Sequence, residues 1–529
     1  MELVSTPLVL GPHGGRAHQQ AAVYERRRPE LTVLHRLVRE NYKSFVALVE
    51  ASGRNLPKYV TTEFDEYLKC GILAHGFLRL KCADCKAERL VAFSCRSRGF
   101  CPSCLGKRQA LASEFLMDKI LGGLPVRQFV LSFPFELRFL MARDSRLMSL
   151  VLAIVNRAIG GFYRRKAKLE LGAPGGSKDG SKSGAKTKTA AVTFIQRYGS
   201  SLNLNIHFHM LVVEGVWESG VVKELKANPP ARARLAPLSA PNNEDIEKLT
   251  CAIRDRVKRL LERKGYSKAS RGNDKQLSYE SEGFFTDGAV IDELQSASIQ
   301  SRLATGPNAG QRVGKLGQQI HMAYKGELKG PRCFAIQGFS LHANTFCQPV
   351  EREKLKRLIE YVARPPFANE RIAQLPNGNV TLKLKKPFSD GTTHIVFTPL
   401  EFIEKLSALV PKPRVHLIRY AGAFARHAKI RPDVPVRARM GEADVAPAPG
   451  EEDEKQAPSE KSRSWARLLK RVFGIDVDSC HACGGKNVKI IAAIMDRATI
   501  TKILNHVGIP PDIPEIAAAR ALPQASFDW

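Results

Sequence analysis

The stretch Leu202–Val213, LNLNIHFHMLVV, alternates apolar and polar side chains with a period of two. Successive residues of a strand point to opposite faces, so Leu202, Leu204, Ile206, Phe208 and Met210 form one face, directed at a core. Asn203, Asn205, His207 and His209 form the other. A single histidine on a strand is usually structural. Two at i and i+2, flanked by further polar residues on the same face, stand close enough to share one divalent cation. If that cation also takes phosphate oxygen, it acts as a Lewis acid on a phosphodiester. Spacing does not assign a third ligand. The candidates are His342, in FSLHA (339–343), then Gln196 and Gln128, with His342 ranked first.

Outward from this strand, the pattern alternates between strands and helices. Val126–Phe133 reads as a strand ended by Pro134, and 135–170 as amphipathic helix. Residues 191–198 read as a further strand and 243–264 as helix. A second strand group at 332–342 and 379–397 flanks a helix at 351–364. The segment PGGSKDGSKSGAKTKT (174–189) is a basic loop by composition. In the helix at 351–364, Leu355, Leu358, Ile359 and Val362 form a buried stripe, with Tyr361 at its edge and Pro365–Pro366 stopping the helix. Lys354, Arg357 and Arg364 share the side of Tyr361. The local pattern alone fits equally a tyrosine that merely caps a core stripe. The fold class is therefore α+β.

A cysteine-dense block precedes the strands. Cys82-x-x-Cys85 and Cys101-x-x-Cys104, fifteen residues apart, have the spacing of one tetrahedral zinc site. Cys70, His75 and Cys95 lie in the same block as further candidate ligands. Arg96, Arg98, Lys107 and Arg108 are interleaved with the ligands, where they would meet a phosphate backbone. Far downstream, Cys480-x-x-Cys483 looks like half of another such site, with no partner named by spacing. Between them, 441–463 is acidic and rich in Ala and Pro, which marks a linker.

Composition sets the class of partner. The 529 residues carry 82 Lys and Arg against 52 Asp and Glu, a net charge of +30, which points to an anionic polymer. A hydrophobic fraction of 43% supports a sizeable core. No run of 18 apolar residues predicts a membrane span, and the opening MELVSTPLVLGPHGGRAHQQ lacks the layout of a secretory signal. Clustered cysteines in a long chain suit metal-bound thiolates in a reducing compartment, so a cytoplasmic protein without a membrane partner is expected. The absence of GxxxxGK[ST] argues against a P-loop ATPase.

These strings occur in a fixed order: CGILAHGFLRLKCADCKAERLVAFSCRSRGFCPSC, NLNIHFHMLVVEGV, GFSLHANTF, LIEYVARPP, RVHLIRYAGAFARHAKIR and SWARLLKRVFGIDVDSCHACGG. Together they resemble the insertion-sequence transposases of the IS91 type, including the single-tyrosine "common region" elements, over roughly residues 30–529. The resemblance implies a zinc-binding N-terminal domain and an HUH endonuclease domain, with a Rep-like antiparallel sheet on a ferredoxin-like core. It implies that His207 and His209 bind Mg²⁺ or Mn²⁺ and that Tyr361 is the nucleophile. It further implies rolling-circle DNA transposition: single-stranded or melted element ends are nicked and joined to target DNA through a 5′-phosphotyrosine, with a host helicase and polymerase as helpers. Two-tyrosine members carry a second tyrosine four residues away, where this chain has Arg357 and Pro365. The expected layout is a basic helical lead-in (1–65), a zinc-binding domain (66–115) and a catalytic domain (120–435) with a flexible insertion near 174–190. The linker (441–463) and a small helical C-terminal region (464–529) follow. A plasmid replication initiator or relaxase of the same class, and a non-catalytic zinc-dependent DNA-binding protein, are the alternatives. A tyrosine recombinase is disfavoured, because His416-x-x-Arg419 has no later tyrosine beyond the adjacent Tyr420.

Overall fold

The structure, a computed structural model, describes residues 28–172, 187–218, 234–266, 290–316, 328–428 and 480–520 except 481 and 486. Most of the expected insertion near 174–190 and all of the expected linker at 441–463 lie outside these residues.

The chain begins with helices α1 (Val33–Ala51) and α2 (Lys58–Lys69). Thr32 caps α1 by accepting from the His35 amide, and Leu34, Leu37 and Val38 are fully buried. A hairpin follows, β1 (Phe77–Cys82) and β2 (Glu88–Ala92), and then α3 (Pro102–Leu116), which starts with Pro102 behind Cys101. Next come β3 (Val126–Ser132), α4 (Phe135–Arg143) and α5 (Ser145–Glu170). The helix expected over 135–170 is thus two helices. Asp144 leaves the helical conformation between them, and its side chain caps α5 through the Arg146 amide at 2.7 Å.

Strands β4 (Ala190–Tyr198) and β5 (Leu204–Val213) form the centre of the molecule, followed by a small hairpin, β6 (Gly215–Glu218) and β7 (Arg234–Pro237). Helix α6 (Asn243–Arg263) opens with a capping box made by Asn242 and Asp245, and α7 (Val290–Ile299) and β8 (Gly314–Leu316) follow. Short strands β9 (Leu328–Gly330), β10 (Cys333–Ile336), β11 (Phe339–His342) and β12 (Phe346–Cys347) lead into α8 (Arg352–Ala363). Strands β13 (Ile372–Gln374), β14 (Val380–Lys383) and β15 (His394–Phe397) precede α9 (Pro399–Leu409) and β16 (Ile418–Gly422). The C-terminal segment contributes β17 (Val488–Ile494) and α10 (Arg497–His506).

The central sheet is antiparallel, in the order β16-β4-β5-β3-β11-β10-β9, with β12 also pairing with β3. Its two faces follow from the alternation in β5. Leu204, Ile206, Phe208 and Met210 have no exposed surface and join Phe129, Leu131, Leu341 and residues of α4 to α7 in the main core. Full burial of such a side chain contributes about 1.5–3 kcal/mol, so a one-residue slip of β5 is strongly disfavoured. On the opposite face, Leu355, Leu358, Ile359 and Val362 of α8 pack with Val192, Phe194, Leu211 and Val213. Helix α8 therefore lies across the histidine face. This mixed helix and antiparallel-sheet architecture agrees with the α+β expectation.

By length and composition α5 is apolar enough to cross a membrane, but Leu147, Val151, Val155, Ile159 and Tyr163 are buried in the core of this protein. A second antiparallel sheet, β13-β14-β15-β8, packs on α1 and α9. A third joins the two ends of the chain in the order β17-β1-β2. The C-terminal region, read from sequence as helical, thus supplies a strand. There β17 gains backbone hydrogen bonds along the length of β1.

Candidate active site and metal centres

His207 and His209 project from the same face of β5, with ring centroids 4.8 Å apart. His207 Nδ1 lies 2.9 Å from the Asn205 carbonyl oxygen, which fixes Nδ1–H as the donor and leaves Nε2 with a lone pair. His209 Nδ1 lies 2.9 Å from the Gln128 side-chain amide on β3, two residues from Val130, its cross-strand partner. Burial holds the His207 ring down at about 4. The Asn205 carbonyl opposes that shift, and the charges of Arg138 and Arg364 add to it. Burial likewise takes His209 to about 3, with His207 and Arg364 adding to the effect. Both rings are neutral at pH 7, the form that binds a metal.

Helix α8 sets Tyr361 against this pair. Its ring meets the His209 ring edge-on, with centroids 6.1 Å apart and planes at 87°. Tyr361 as a residue is 48% exposed, so a polymer can reach it. The Arg364 guanidinium lies 4.4 Å from the centroid of the Tyr361 ring. The position of α8 is held from its C-terminal end, where carbonyls lack partners within the helix. Gln109 of α3 donates to the Glu360 carbonyl at 2.6 Å and Gln196 of β4 donates to the Val362 carbonyl at 2.8 Å. The Tyr198 hydroxyl donates to the Arg364 carbonyl. Sequence reasoning overlooked Gln109 and Tyr198, since nothing in their local pattern distinguishes a helix tether from a surface polar group.

The third-ligand candidates separate clearly. His342 does not reach the pair: among the described residues, neither histidine belongs to a group of three His, Cys, Asp or Glu ligand atoms within 4.8 Å. The register gives the reason. His209 pairs with Val130, and Val130 pairs with His342, so a whole strand stands between the two histidines, whose backbones are about 10 Å apart at normal strand spacing. Gln196 is directly opposite His207 on β4. With Nε2 committed to Val362, the group it can offer is Oε1.

The cysteines form two clusters, and the division differs from the expected single site. Cys70, Cys95, Cys101 and Cys104 converge in one, and Cys82, Cys85, Cys480 and Cys483 in the other. The β1–β2 hairpin forces this split. Cys82 and Cys85 sit at its tip, whereas Cys70 and Cys95 flank its open end beside the start of α3. The intervening strand of six residues spans about 20 Å, too far for one ion. In the first cluster Cys70 Sγ lies 3.8 Å from both Cys101 Sγ and Cys104 Sγ, and Cys95 Sγ lies 3.4 Å from Cys104 Sγ. Amides of Cys95 and Ser97 donate to Cys70 Sγ and Cys95 Sγ, each at 3.4 Å, as in thiolate metal sites. His75 belongs to neither cluster.

The basic candidates also divide. Arg96 and Arg108 are exposed and linked to each other, the Arg108 guanidinium donating to the Arg96 carbonyl at 2.9 Å. Arg98 serves the structure instead, its guanidinium donating to the Val415 carbonyl and its amide to Glu63. Lys107 is half-buried, and burial lowers its ammonium. Arg357 is exposed on α8, one turn before Tyr361.

Two family comparisons match the chain. Residues 37–133 match a family described as "Transposase zinc-binding domain", and residues 190–431, which include β5 and α8, match one described as "Putative transposase". No curated protein and no solved structure matches. The class is therefore a DNA transposase that carries a zinc-binding domain ahead of its transposase domain. Within that class, the chain belongs to the IS91-type transposases.

Proposed function

We propose that this transposase is an HUH-class, single-tyrosine nuclease and strand transferase that cuts single-stranded or melted element ends and joins them to target DNA. The observation that carries this reading is the edge-on approach of Tyr361 to His209, over a pair of neutral histidines on one sheet face. A divalent cation such as Mg²⁺ or Mn²⁺, held by His207, His209 and the Gln196 carbonyl oxygen, would supply Lewis-acid polarisation of the scissile phosphate. The Tyr361 oxygen attacks phosphorus in line. The bond from phosphorus to the 3′-oxygen breaks, leaving a 5′-phosphotyrosine and a free 3′-hydroxyl. Arg364 and Arg357 offset charge on the phosphate and the leaving oxygen. The covalent bond conserves the phosphodiester, so a second 3′-hydroxyl reverses the step at a new junction without ATP.

Cys70, Cys95, Cys101 and Cys104 hold a structural zinc ion in this reading, which fixes the start of α3 and therefore Gln109 against α8. Exposed Arg96 and Arg108 on the same module contact the DNA backbone, and host replication factors supply unwinding and resynthesis.

The test is incubation of purified protein with labelled single-stranded element-end DNA and Mn²⁺, followed by a denaturing gel. A covalent adduct is expected, absent in Tyr361→Phe and strongly reduced in His207→Ala. An adduct that survives Tyr361→Phe would assign the nucleophile elsewhere. Tight binding without any adduct would favour a DNA-binding protein without cleavage activity.

A further inference from the structure

We propose that Cys82, Cys85, Cys480 and Cys483 bind a second zinc ion, which locks the C-terminal segment onto the N-terminal zinc module. Only half of these cysteines lie within the matched zinc-binding domain, which ends at residue 133. The proposal goes beyond the nuclease reading and stands without it.

Two copies of one backbone turn face each other at this site. In the first, the Cys82 amide donates to the Ala87 carbonyl at 2.9 Å, and the Lys86 amide to the Cys82 carbonyl at 3.1 Å. In the second, the Cys480 amide donates to the Gly485 carbonyl at 2.7 Å, and the Gly484 amide to the Cys480 carbonyl at 2.8 Å. The residue after the second cysteine has positive φ in both, 64° at Lys86 and 71° at Gly484. A lysine in that conformation is uncommon, and here its ammonium also donates to the Ala83 carbonyl at 2.6 Å within the turn. Amides of Ala482 and Gly485 donate to Cys480 Sγ and Cys483 Sγ, each at 3.4 Å. Gly485 also has a packing role, since a Cβ there would lie 2.4 Å from Asp84 Oδ2 of the opposing turn.

The sulfur spacing fits a tetrahedral ion. Zinc–sulfur bonds of about 2.3 Å place ligand sulfurs about 3.8 Å apart. Cys82 Sγ and Cys483 Sγ are 3.7 Å apart, and Cys85 Sγ and Cys480 Sγ 3.4 Å. Both contacts join one turn to the other, and all four sulfurs lie within 4.8 Å of one another. Four thiolates in this arrangement select zinc or iron. Cys85 and Cys483 are exposed, which suits the redox-inert ion.

The rest of the C-terminal segment continues the junction. Strand β17 pairs with β1 from Phe77↔Ile494 to Cys82↔Val488, and the Ala83 amide donates to the Asn487 carbonyl at 2.8 Å. Ile500 and Leu504 of α10 are buried with Leu73 and Phe77. Beyond α10, the Ala517 amide donates to the Arg39 carbonyl and the Arg520 amide to Ser44 Oγ, both on α1. The ion would therefore fasten a unit whose two halves lie about 400 residues apart in the chain.

The test is metal analysis of the purified full-length protein by plasma mass spectrometry. Two zinc ions per chain are expected, falling to one in Cys480→Ser/Cys483→Ser and staying at two in Cys483→His, which keeps a ligand. One zinc in the wild type that persists in the folded double variant would overturn the proposal, whereas one zinc that is lost there would place it at this site and leave the other cluster empty. Two in a folded double variant would overturn it as well, and one iron in place of the second zinc would overturn the choice of ion.

Discussion

The buried ion pair between Arg127 of β3 and Glu214, next after β5, gives a prediction whose size follows from the structure. Arg127 Nε and Nη2 donate to the two Glu214 carboxylate oxygens at 2.7 and 3.0 Å, and Nη1 donates to the Ala343 carbonyl at 2.9 Å. Arg127 is 3% exposed and Glu214 4%, and the guanidinium lies 4.9 Å from the centroid of Phe346. The pair fixes β3 against β5 and against the connection between β11 and β12, and so sets the depth of Gln128 beside His209. Glu214→Gln keeps the shape and removes the counter-charge, leaving a buried cation that water cannot reach. Breaking such a pair costs about 3–5 kcal/mol. In a domain of 150–250 residues each kcal/mol shifts Tm by about 2–4 °C, so a fall of about 6–20 °C is expected. Arg127→Met/Glu214→Leu removes both charges and should melt close to the wild type, because desolvating an ion pair roughly offsets its attraction. Scanning calorimetry at matched zinc concentration measures all three proteins. A Glu214→Gln protein melting within about 2 °C of wild type would refute the reasoning, because the cation would then have found water or another partner. So would a double variant as unstable as the single one.

Two further outcomes follow from other contacts. Gln109→Leu removes the donor to the Glu360 carbonyl, so the residue before Tyr361 loses its tether to the zinc module. A lost hydrogen bond to a carbonyl costs about 1–3 kcal/mol, and the expected result is adduct formation slowed by about tenfold with zinc content unchanged, read from the denaturing gel and metal analysis. His35 is held below its ordinary 6.5, first by burial and then by Arg39, against the Leu68 carbonyl and Glu30, which raise it. Its neutral form stabilises the fold above pH 6.5. That contribution is lost as pH falls below 6.5 toward the lowered folded value, because the unfolded chain takes up the proton first. The Tm difference between wild type and His35→Gln should therefore shift in favour of the variant between pH 7 and pH 5, and a difference independent of pH would count against this.

Much of the central sheet could be read from the sequence because it is governed by local alternation. The run from Leu204 to Met210 states which side of β5 is buried, and the partner strands need only an apolar face to match it. The place of Tyr361 on α8 was legible, but not its contact with His209. The stripe Leu355, Leu358, Ile359 and Val362 fixes the face that α8 buries, and Tyr361 follows at its edge. What brings its ring to His209 is a set of donors from two distant elements, Gln109 of α3 and Gln196 and Tyr198 of β4. No spacing rule connects those positions. His342 shows the opposite failure: as a histidine on a neighbouring strand it is a reasonable ligand from sequence, yet register puts Val130 between it and the pair.

The cysteines show why spacing alone misassigned a metal site whose chemistry it had recognised. A Cys-x-x-Cys turn specifies half of a tetrahedron and says nothing about where the other half comes from. Pairing the two nearest turns minimises the loop to be closed, which is the natural choice when loop entropy is the only guide. Here that choice conflicts with the β1–β2 hairpin, whose length holds Cys82 and Cys85 away from Cys101 and Cys104. The hairpin ends are instead completed separately, by Cys70 and Cys95 at one and by Cys480 and Cys483 at the other. Closing a loop of about 400 residues costs only about 2 kcal/mol more in chain entropy than closing one of 40, since the cost grows with the logarithm of length. The pairing of β17 with β1 and the burial of Ile500 and Leu504 bring the distant turn into place, so proximity in sequence carries little weight against them. The same economy explains how a module that touches α8 through Gln109 can be built from distant parts of the chain: α3 reaches α8 from the N-terminal half, while the C-terminal half closes the far end of the hairpin.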